Sequence, residues 1–304
     1  MNNVEILNKQ DTNFMRAIAI ISIVLHHLSL QYENIVILKP FKYVGFLMVG
    51  VFFFLSGFGL YVSMKTKENY LKKIPKKIMG LIIAFVIAWL IYYIFYKTVG
   101  IEVHNFFLTV KNCWYLYELI LFYILFYICF KHFSENKACI ILLISILIIL
   151  LGVYYIGLVE TWYKSSMLFI VGIVIAKNIK AFKEALYKKL TFIIELIAMA
   201  IFLLIGQKTQ LGAVDIILYN IATYLFVIIF IKVFYFIKLY KISKFNILQK
   251  IGSISLEIYL YHGLIIDCMN ILSKNIWLNI IFTLIISILW AYLIEKGKKR
   301  IIKK

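Results

Sequence analysis

The chain has 304 residues, of which 64% are hydrophobic and only 15% charged, with a formal net charge of +19 and a mean hydropathy of +0.95. So little polar surface excludes a soluble domain of this size. The positive charge would suit a nucleic-acid partner, but its placement in alternate loops between apolar runs argues against one.

Apolar runs recur near residues 14–31, 43–63, 78–96, 112–130, 138–156, 162–177, 190–206, 213–236, 251–272 and 277–295. Each is of roughly bilayer-spanning length except the sixth, which is short and begins with polar residues. The expected fold class is therefore an all-α polytopic integral membrane protein of about ten transmembrane helices. With two prolines and no low-complexity linker or repeat, residues 1–304 are expected to form a single membrane-embedded domain. The first run contains Arg16, His26 and His27 and lacks a small-residue cleavage site, so it is read as a span rather than a signal peptide.

Lysines punctuate the runs unevenly. Lys65, Lys67, Lys72, Lys73, Lys76 and Lys77 follow the second run; Lys177, Lys180, Lys183, Lys188 and Lys189 follow the sixth. Lys238, Lys241, Lys244 and Lys250 follow the eighth, and Lys296, Lys298, Lys299, Arg300, Lys303 and Lys304 close the sequence. The intervening loops carry one or two each. This positive-inside alternation predicts that both termini are cytoplasmic, with anionic membrane lipid as a natural neighbour.

Of the 33 basic residues only Arg16 and Arg300 are arginine. Arg16 opens the first span. Eleven helical residues separate it from His27, about three turns and ~16 Å, so the two share a face while His26 points ~80° away. One reading has Arg16 snorkelling to the headgroups and His27 as a buried helix contact. The other has the guanidinium fork holding a phosphate or carboxylate, and His27 acting as a general base towards a hydroxyl.

In the second run, Gly50 to Gly59 are rich in small and aromatic residues. Gly57 and Gly59 suit close helix packing, and Ser56 is a possible substrate contact without an acid–base partner nearby. The lysine loop 65–77, with Pro75 inside it, is a solvated cytoplasmic loop or an attractor of a polyanionic cytosolic ligand. Trp114-Tyr115 opens the fourth run as an interfacial belt, and Glu118 lies a turn deeper.

In the ninth run, Tyr259 and His262 share a face and Glu257 does not. Asp267, Asp215 and Glu195 are further acids in or beside spans, where burial would favour neutral carboxyls. Cys113, Cys129, Cys139 and Cys268 show no CxxC spacing and read as apolar filling, and with the histidines dispersed no metal centre is expected.

Together these segments resemble the bacterial membrane acyltransferase-3 family. Arg16, ten residues and then His27 match its hallmark; Gly50 through Phe58 resemble its Gly-Val-x-x-Phe-Phe-x-Leu-Ser-Gly-Phe signature in compressed form. Trp114-Tyr115-Leu116 is similar to its span-four motif, and Gly252 through His262 to its Gly-x-Ile-Ser-Tyr-Ser-x-Tyr-Leu-x-His motif. Two departures stand out. The family's paired arginines after span two are lysines here, Lys73 and Lys76 being the best spaced, and its Tyr-Ser is replaced by Leu256-Glu257.

The resemblance implies a multi-pass O-acyltransferase of the bacterial inner membrane, with no bound cofactor. It would move an acyl group, commonly acetyl, from cytosolic acyl-coenzyme A to a hydroxyl of a cell-envelope glycan or lipid-linked saccharide. On that reading His27 and Arg16 are catalytic, and Lys73, Lys76 and Arg16 bind the donor. Ser56, Trp114, Glu118, Tyr259 and His262 are candidate substrate contacts. The competing readings are a transporter of a lipid-linked glycan or other amphiphile, for which the sequence offers neither repeats nor evidently broken helices in matching positions, and a scaffold in envelope synthesis.

Overall fold

The computed structural model describes residues 7–102, 113–186, 189–208, 212–239 and 246–302. His104 and the loop lysines Lys111, Lys188, Lys241 and Lys244 lie outside them. The structure is 88% helix, with no strand among the described residues. Among the described residues, eight helices are long and apolar enough to cross a membrane.

In chain order the helices are α1 (Lys9–Gln31), α2 (Gly45–Thr66), α3 (Tyr70–Thr98), α4 (Trp114–His132), α5 (Glu135–Tyr155) and α6 (Leu168–Lys177). Then come α7 (Ile179–Leu186), α8 (Lys189–Lys208), α9 (Val214–Leu239), α10 (Asn246–Ser253), α11 (Ser255–Leu272) and α12 (Ile276–Ile302). A 3₁₀ segment, Val36–Tyr43, joins α1 to α2.

Each of the ten expected runs contains a helix, but two differ from a plain span. The sixth keeps only the ten residues of α6. The ninth is two helices, α10 and α11, interrupted at Ile254.

The reason is local. Before α6, the carbonyls of Tyr163 and Lys164 and the N–H of Met167 are paired with side chains of α9. Asn220 Nδ2 donates to the Tyr163 carbonyl (2.6 Å) and its Oδ1 accepts from Met167 N–H (3.1 Å). Thr223 Oγ1 donates to the Lys164 carbonyl (3.0 Å). Irregular backbone is tolerated in a membrane protein where it is satisfied by neighbouring elements in this way.

By contact, the chain divides into two compact units. The first comprises Met1–Asn8, Phe46–Ile78 and Tyr117–Lys244, the second Lys9–Gly45, Met79–Leu116 and Phe245–Lys304. In the first, Phe53, Phe122 and Phe169 form an aromatic core, with ring centroids 5.5 and 5.3 Å apart. Here α2 and α6 cross at a pair of glycines: a Cβ on Gly57 would lie 2.0 Å from the Phe169 carbonyl oxygen, and one on Gly172 would lie 2.2 Å from that of Phe54. Gly57 is thus a packing glycine, as its type and setting suggested. Gly59, read the same way, has nothing within 4 Å of its Cβ position.

Also in the first unit, Lys232, an isolated lysine deep in the apolar run of α9, is 3% exposed. Its Nζ donates to both carboxylate oxygens of Glu195 on α8, each at 2.7 Å, and to Thr191 at 2.6 Å. Glu195 is therefore one half of an ion pair with Lys232.

In the second unit α1 packs against α10, α11 and α12. Contact with α10 is closest at Gly252, where a Cβ would fall 1.7 Å from the Asn13 carbonyl oxygen. Two tyrosines of α3 steady α11: Tyr92 accepts from Leu264 N–H (2.8 Å) and Tyr96 donates to Asp267 (2.8 Å). Lys298 of α12 donates to Glu257 (2.7 Å). Two more of the acids flagged from sequence are accounted for by these contacts.

Candidate active site

The second unit holds a cluster of three histidines. His26 and His27 come from α1, and His262 from α11. Ring centroids of His27 and His262 are 5.0 Å apart with planes tilted by 33°, and those of His26 and His27 are also 5.0 Å apart. The histidines looked dispersed along the chain but converge in space. Among the described residues no group of three His, Cys, Asp or Glu side chains is arranged to hold a metal ion.

The three rings have different partners. His262 is fully buried, and its Nδ1 lies 2.7 Å from the Tyr259 carbonyl and 3.2 Å from that of Ile258. A carbonyl only accepts, so Nδ1 carries a proton, and in the neutral ring the lone pair is on Nε2. Nε2 is buried and has no hydrogen-bond partner among the described residues. Tyr259 packs its ring 5.9 Å from that of His262, and Tyr115 packs edge-on against Tyr259 at 5.3 Å. The predicted Tyr259–His262 face is therefore present. Tyr115 touches it from the aromatic motif, next to the half-buried Trp114.

His27 is half-buried, with its ring between the other two. His26 is committed to the fold. Its Nδ1–H donates to the Phe41 carbonyl of the 3₁₀ segment (3.0 Å), and its ring sits where a side chain at Gly45 would be, 2.3 Å from that Cβ position. The 80° offset predicted for His26 from the Arg16–His27 face directs it to this anchoring role, although its ring still borders His27. Replacing His26 with alanine should lower stability by about 1–2 kcal/mol, the scale of a lost buried hydrogen bond. Acyl transfer should fall much less than with His27→Ala. Melting temperature and transfer rate of the two variants would check this, and the reverse ranking would contradict it.

Arg16 is half-buried in α1. No ion pair or hydrogen bond engages its guanidinium among the described residues. It has the same fork geometry as any arginine, with five donors available to an anion.

The remaining candidates lie in the first unit. Ser56 is buried in α2, where no titratable side chain bonds it among the described residues. Glu118 is 2% exposed. Ser166 donates to its Oε2 (2.6 Å) while Oε1 has no partner among the described residues. Lys73 and Lys76 are exposed on the first turns of α3.

Sequence reasoning missed a cavity of about 390 Å³ where α2 ends, α3 begins and α4 ends. Lys67, Lys72 and Lys131 line it with Asn69, Tyr70 and Tyr127. Lys131 lies far off in sequence and gave no signal there.

What the arrangement defines is a polytopic membrane protein with a buried imidazole, anchored through Nδ1, beside a second imidazole, and, on the same helix as the second, an arginine with no partner among the described residues. A family model for an acyltransferase domain, that of the acyltransferase-3 family, matches residues 10–296, nearly the full length. The chain belongs to that family and is a membrane acyltransferase. Comparison with curated proteins and with solved structures gives no match.

Proposed function

We propose that the protein transfers an acyl group, acetyl in the simplest case, from cytosolic acyl-coenzyme A to a hydroxyl of a cell-envelope glycan or lipid-linked saccharide. We further propose that it does so in a bacterial inner membrane with both termini on the cytoplasmic side. The observation carrying this reading is the His27–His262 pair, with rings 5.0 Å apart and the Nδ1 of His262 anchored so that Nε2 keeps a lone pair. Acyl transfer to an alcohol needs a positioned base, and in this pair His27, half-buried and with no hydrogen bond to its ring nitrogens among the described residues, is the ring open to a substrate.

In this mechanism the acceptor hydroxyl lies against His27, which takes its proton as the oxygen attacks the thioester carbonyl. The tetrahedral adduct collapses with cleavage of the C–S bond. The proton held on the imidazole then passes to the departing thiolate, giving an ester and free thiol. His262 lies beside His27 throughout, its own Nδ1 proton tied to Tyr259, so it steadies the ring that turns over.

Arg16 is the residue suited to a phosphate or to the developing oxyanion, because its fork makes two parallel bonds. Lysines at the cytoplasmic ends add general attraction for the anionic donor. Among them are Lys73 and Lys76 on α3, and Lys67, Lys72 and Lys131, which line a shared cavity.

The test is transfer of radiolabel from acyl-labelled acetyl-coenzyme A to surface glycan isolated from cells lacking the protein, using membranes that contain it. Labelled glycan is expected. Its absence, with glycan instead moved across the membrane, would favour a transporter, a class that shares the broken helices seen at Ile254 and before α6. Arg16→Lys is expected to lower transfer by about 10- to 100-fold, nearly as far as Arg16→Ala, since an ammonium replaces charge but not the paired bonds. Full activity of the lysine variant would eliminate the bidentate role.

A further inference from the structure

One face of α12 carries buried polar groups that the mechanism above does not use. Asn279, Thr283 and Ser287 are spaced by four and so stand one above another on the helix. They are 3%, 0% and 1% exposed. Asn279 Nδ2 donates to the Tyr32 hydroxyl (3.1 Å) and the Ser273 carbonyl (3.0 Å). Asn279 Oδ1, Thr283 Oγ1 and Ser287 Oγ have no hydrogen-bond partner among the described residues. Buried serine and threonine in a helix commonly turn back to the carbonyl four residues earlier, and these two do not. A column of unpaired polar atoms weakens a fold, so its presence calls for an explanation outside the fold.

The register of the neighbouring helices shows where the column leads. α11 and α12 run antiparallel: Glu257 meets Lys298 at 2.7 Å, and Tyr261 meets Trp290 with ring centroids 6.3 Å apart. At the other end the Tyr32 hydroxyl bonds both Asn270 and Asn279. In this register Ser287 lies within a turn of the level of His262. On α1, His27 is five residues before Tyr32, about 7.5 Å along the axis, and Thr283 lies about 6 Å along α12 from Asn279. The stripe thus descends from Tyr32 to the depth of both imidazoles, and α12 packs against both helices that carry them.

The stripe has no charged member. It offers an amide oxygen and two hydroxyls, which match neutral hydroxyl groups and offer nothing to a phosphate. Its upper end, at Tyr32 and Asn270, is where the lysine pattern puts the extracytoplasmic side.

We propose that Asn279, Thr283 and Ser287 are the acceptor-binding face of this transferase, pairing with hydroxyls of a neutral sugar and delivering one of them to His27 and His262. The proposal rests on the acyltransferase reading above. The three groups are sealed, so a sugar reaches them as α12 moves off α11. The opposite face of α12 presents Ile281, Phe282, Ile285 and Leu289 exposed, and outward movement breaks no packing there.

The experiment compares wild type, Thr283→Val, Thr283→Ser, Ser287→Ala and His27→Ala as purified proteins and in membranes. Each is assayed for melting temperature and for transfer from labelled acetyl-coenzyme A to increasing amounts of surface glycan from cells lacking the protein. Thr283→Val keeps the shape and removes an unpaired hydroxyl, so it should melt at or above the wild-type temperature. Its KM for the glycan should nonetheless rise about tenfold, the scale of one lost hydrogen bond to a ligand, with KM for acetyl-coenzyme A unchanged. Thr283→Ser should restore most of the glycan affinity.

Unchanged glycan KM in both Thr283→Val and Ser287→Ala would overturn the proposal, while loss of transfer in His27→Ala left the acyltransferase reading standing. A lower melting temperature in Thr283→Val would also overturn it, because the hydroxyl would then be serving the fold. Transfer intact in His27→Ala, or absent in wild type, would instead sink the underlying mechanism.

Discussion

Replacing His27 with alanine should reduce acyl transfer by about 10²- to 10⁴-fold, the usual worth of a general base, while the protein accumulates normally. The second half of that expectation comes from packing. His27 is half-buried and its ring nitrogens make no hydrogen bond among the described residues, so truncation strands no buried partner. His262 makes a poorer probe. It is fully buried and seated on the Tyr259 carbonyl at 2.7 Å, and its removal opens a cavity in α11 as well as taking away the ring that steadies His27. The informative pair is therefore His27→Ala with His262→Gln, which retains volume and an amide acceptor. Loss of transfer in both, at normal protein levels, is expected. Normal transfer in His27→Ala would show that proton removal happens elsewhere.

The second large effect belongs to the fold. Gly57→Ala should destabilise the first unit by about 3 kcal/mol or more, at the severe end of overpacking. The added methyl would lie 2.0 Å from the Phe169 carbonyl oxygen, an atom of rigid helix backbone that has no rotamer to change. The crossing is reciprocal, since Gly172 faces the Phe54 carbonyl at 2.2 Å, so the helices can separate only by giving up the aromatic contacts around Phe169. Gly59→Ala is the internal control. With nothing within 4 Å of its Cβ position, it should be neutral or stabilising, as alanine is the better helix former. Thermal melting of the two variants in detergent measures the difference. Equal melting temperatures would mean that α2 and α6 do not cross at these glycines.

The helices were legible because hydropathy at bilayer length has few competing explanations. The Arg16–His27 spacing was legible because α1 is a regular helix. Long-range pairing was not. Nothing in a single chain brings His262 to His27 across more than two hundred positions, and the motif around Gly252–His262 marked the residue without its neighbour. Local pattern also gave no hint that Asn220 and Thr223 would pair with backbone groups of residues 163–167, because polar residues inside an apolar run look alike whether they cap a neighbour or face a cavity. Lys232 passed unnoticed for the same reason: one cation in α9 has meaning only once Glu195 stands opposite. The stripe of Asn279, Thr283 and Ser287 is different, since its spacing of four was visible all along. Its significance depended on burial and on those atoms having no partners.

Lys73 and Lys76, the best-spaced substitutes for a pair of arginines, are exposed on α3. The lysines that line a cavity, Lys67, Lys72 and Lys131, come from two stretches, the lysine loop and the end of α4, that no spacing rule links.

The central claim, that His27 performs acyl transfer to an envelope glycan, is tested most directly by mass spectrometry of surface glycans. The comparison is among cells carrying wild-type protein, His27→Ala at matched protein level, and no copy at all. An acyl mass increment, that of acetyl in the simplest case, is expected in wild-type cells alone. The same glycan masses in all three would contradict it.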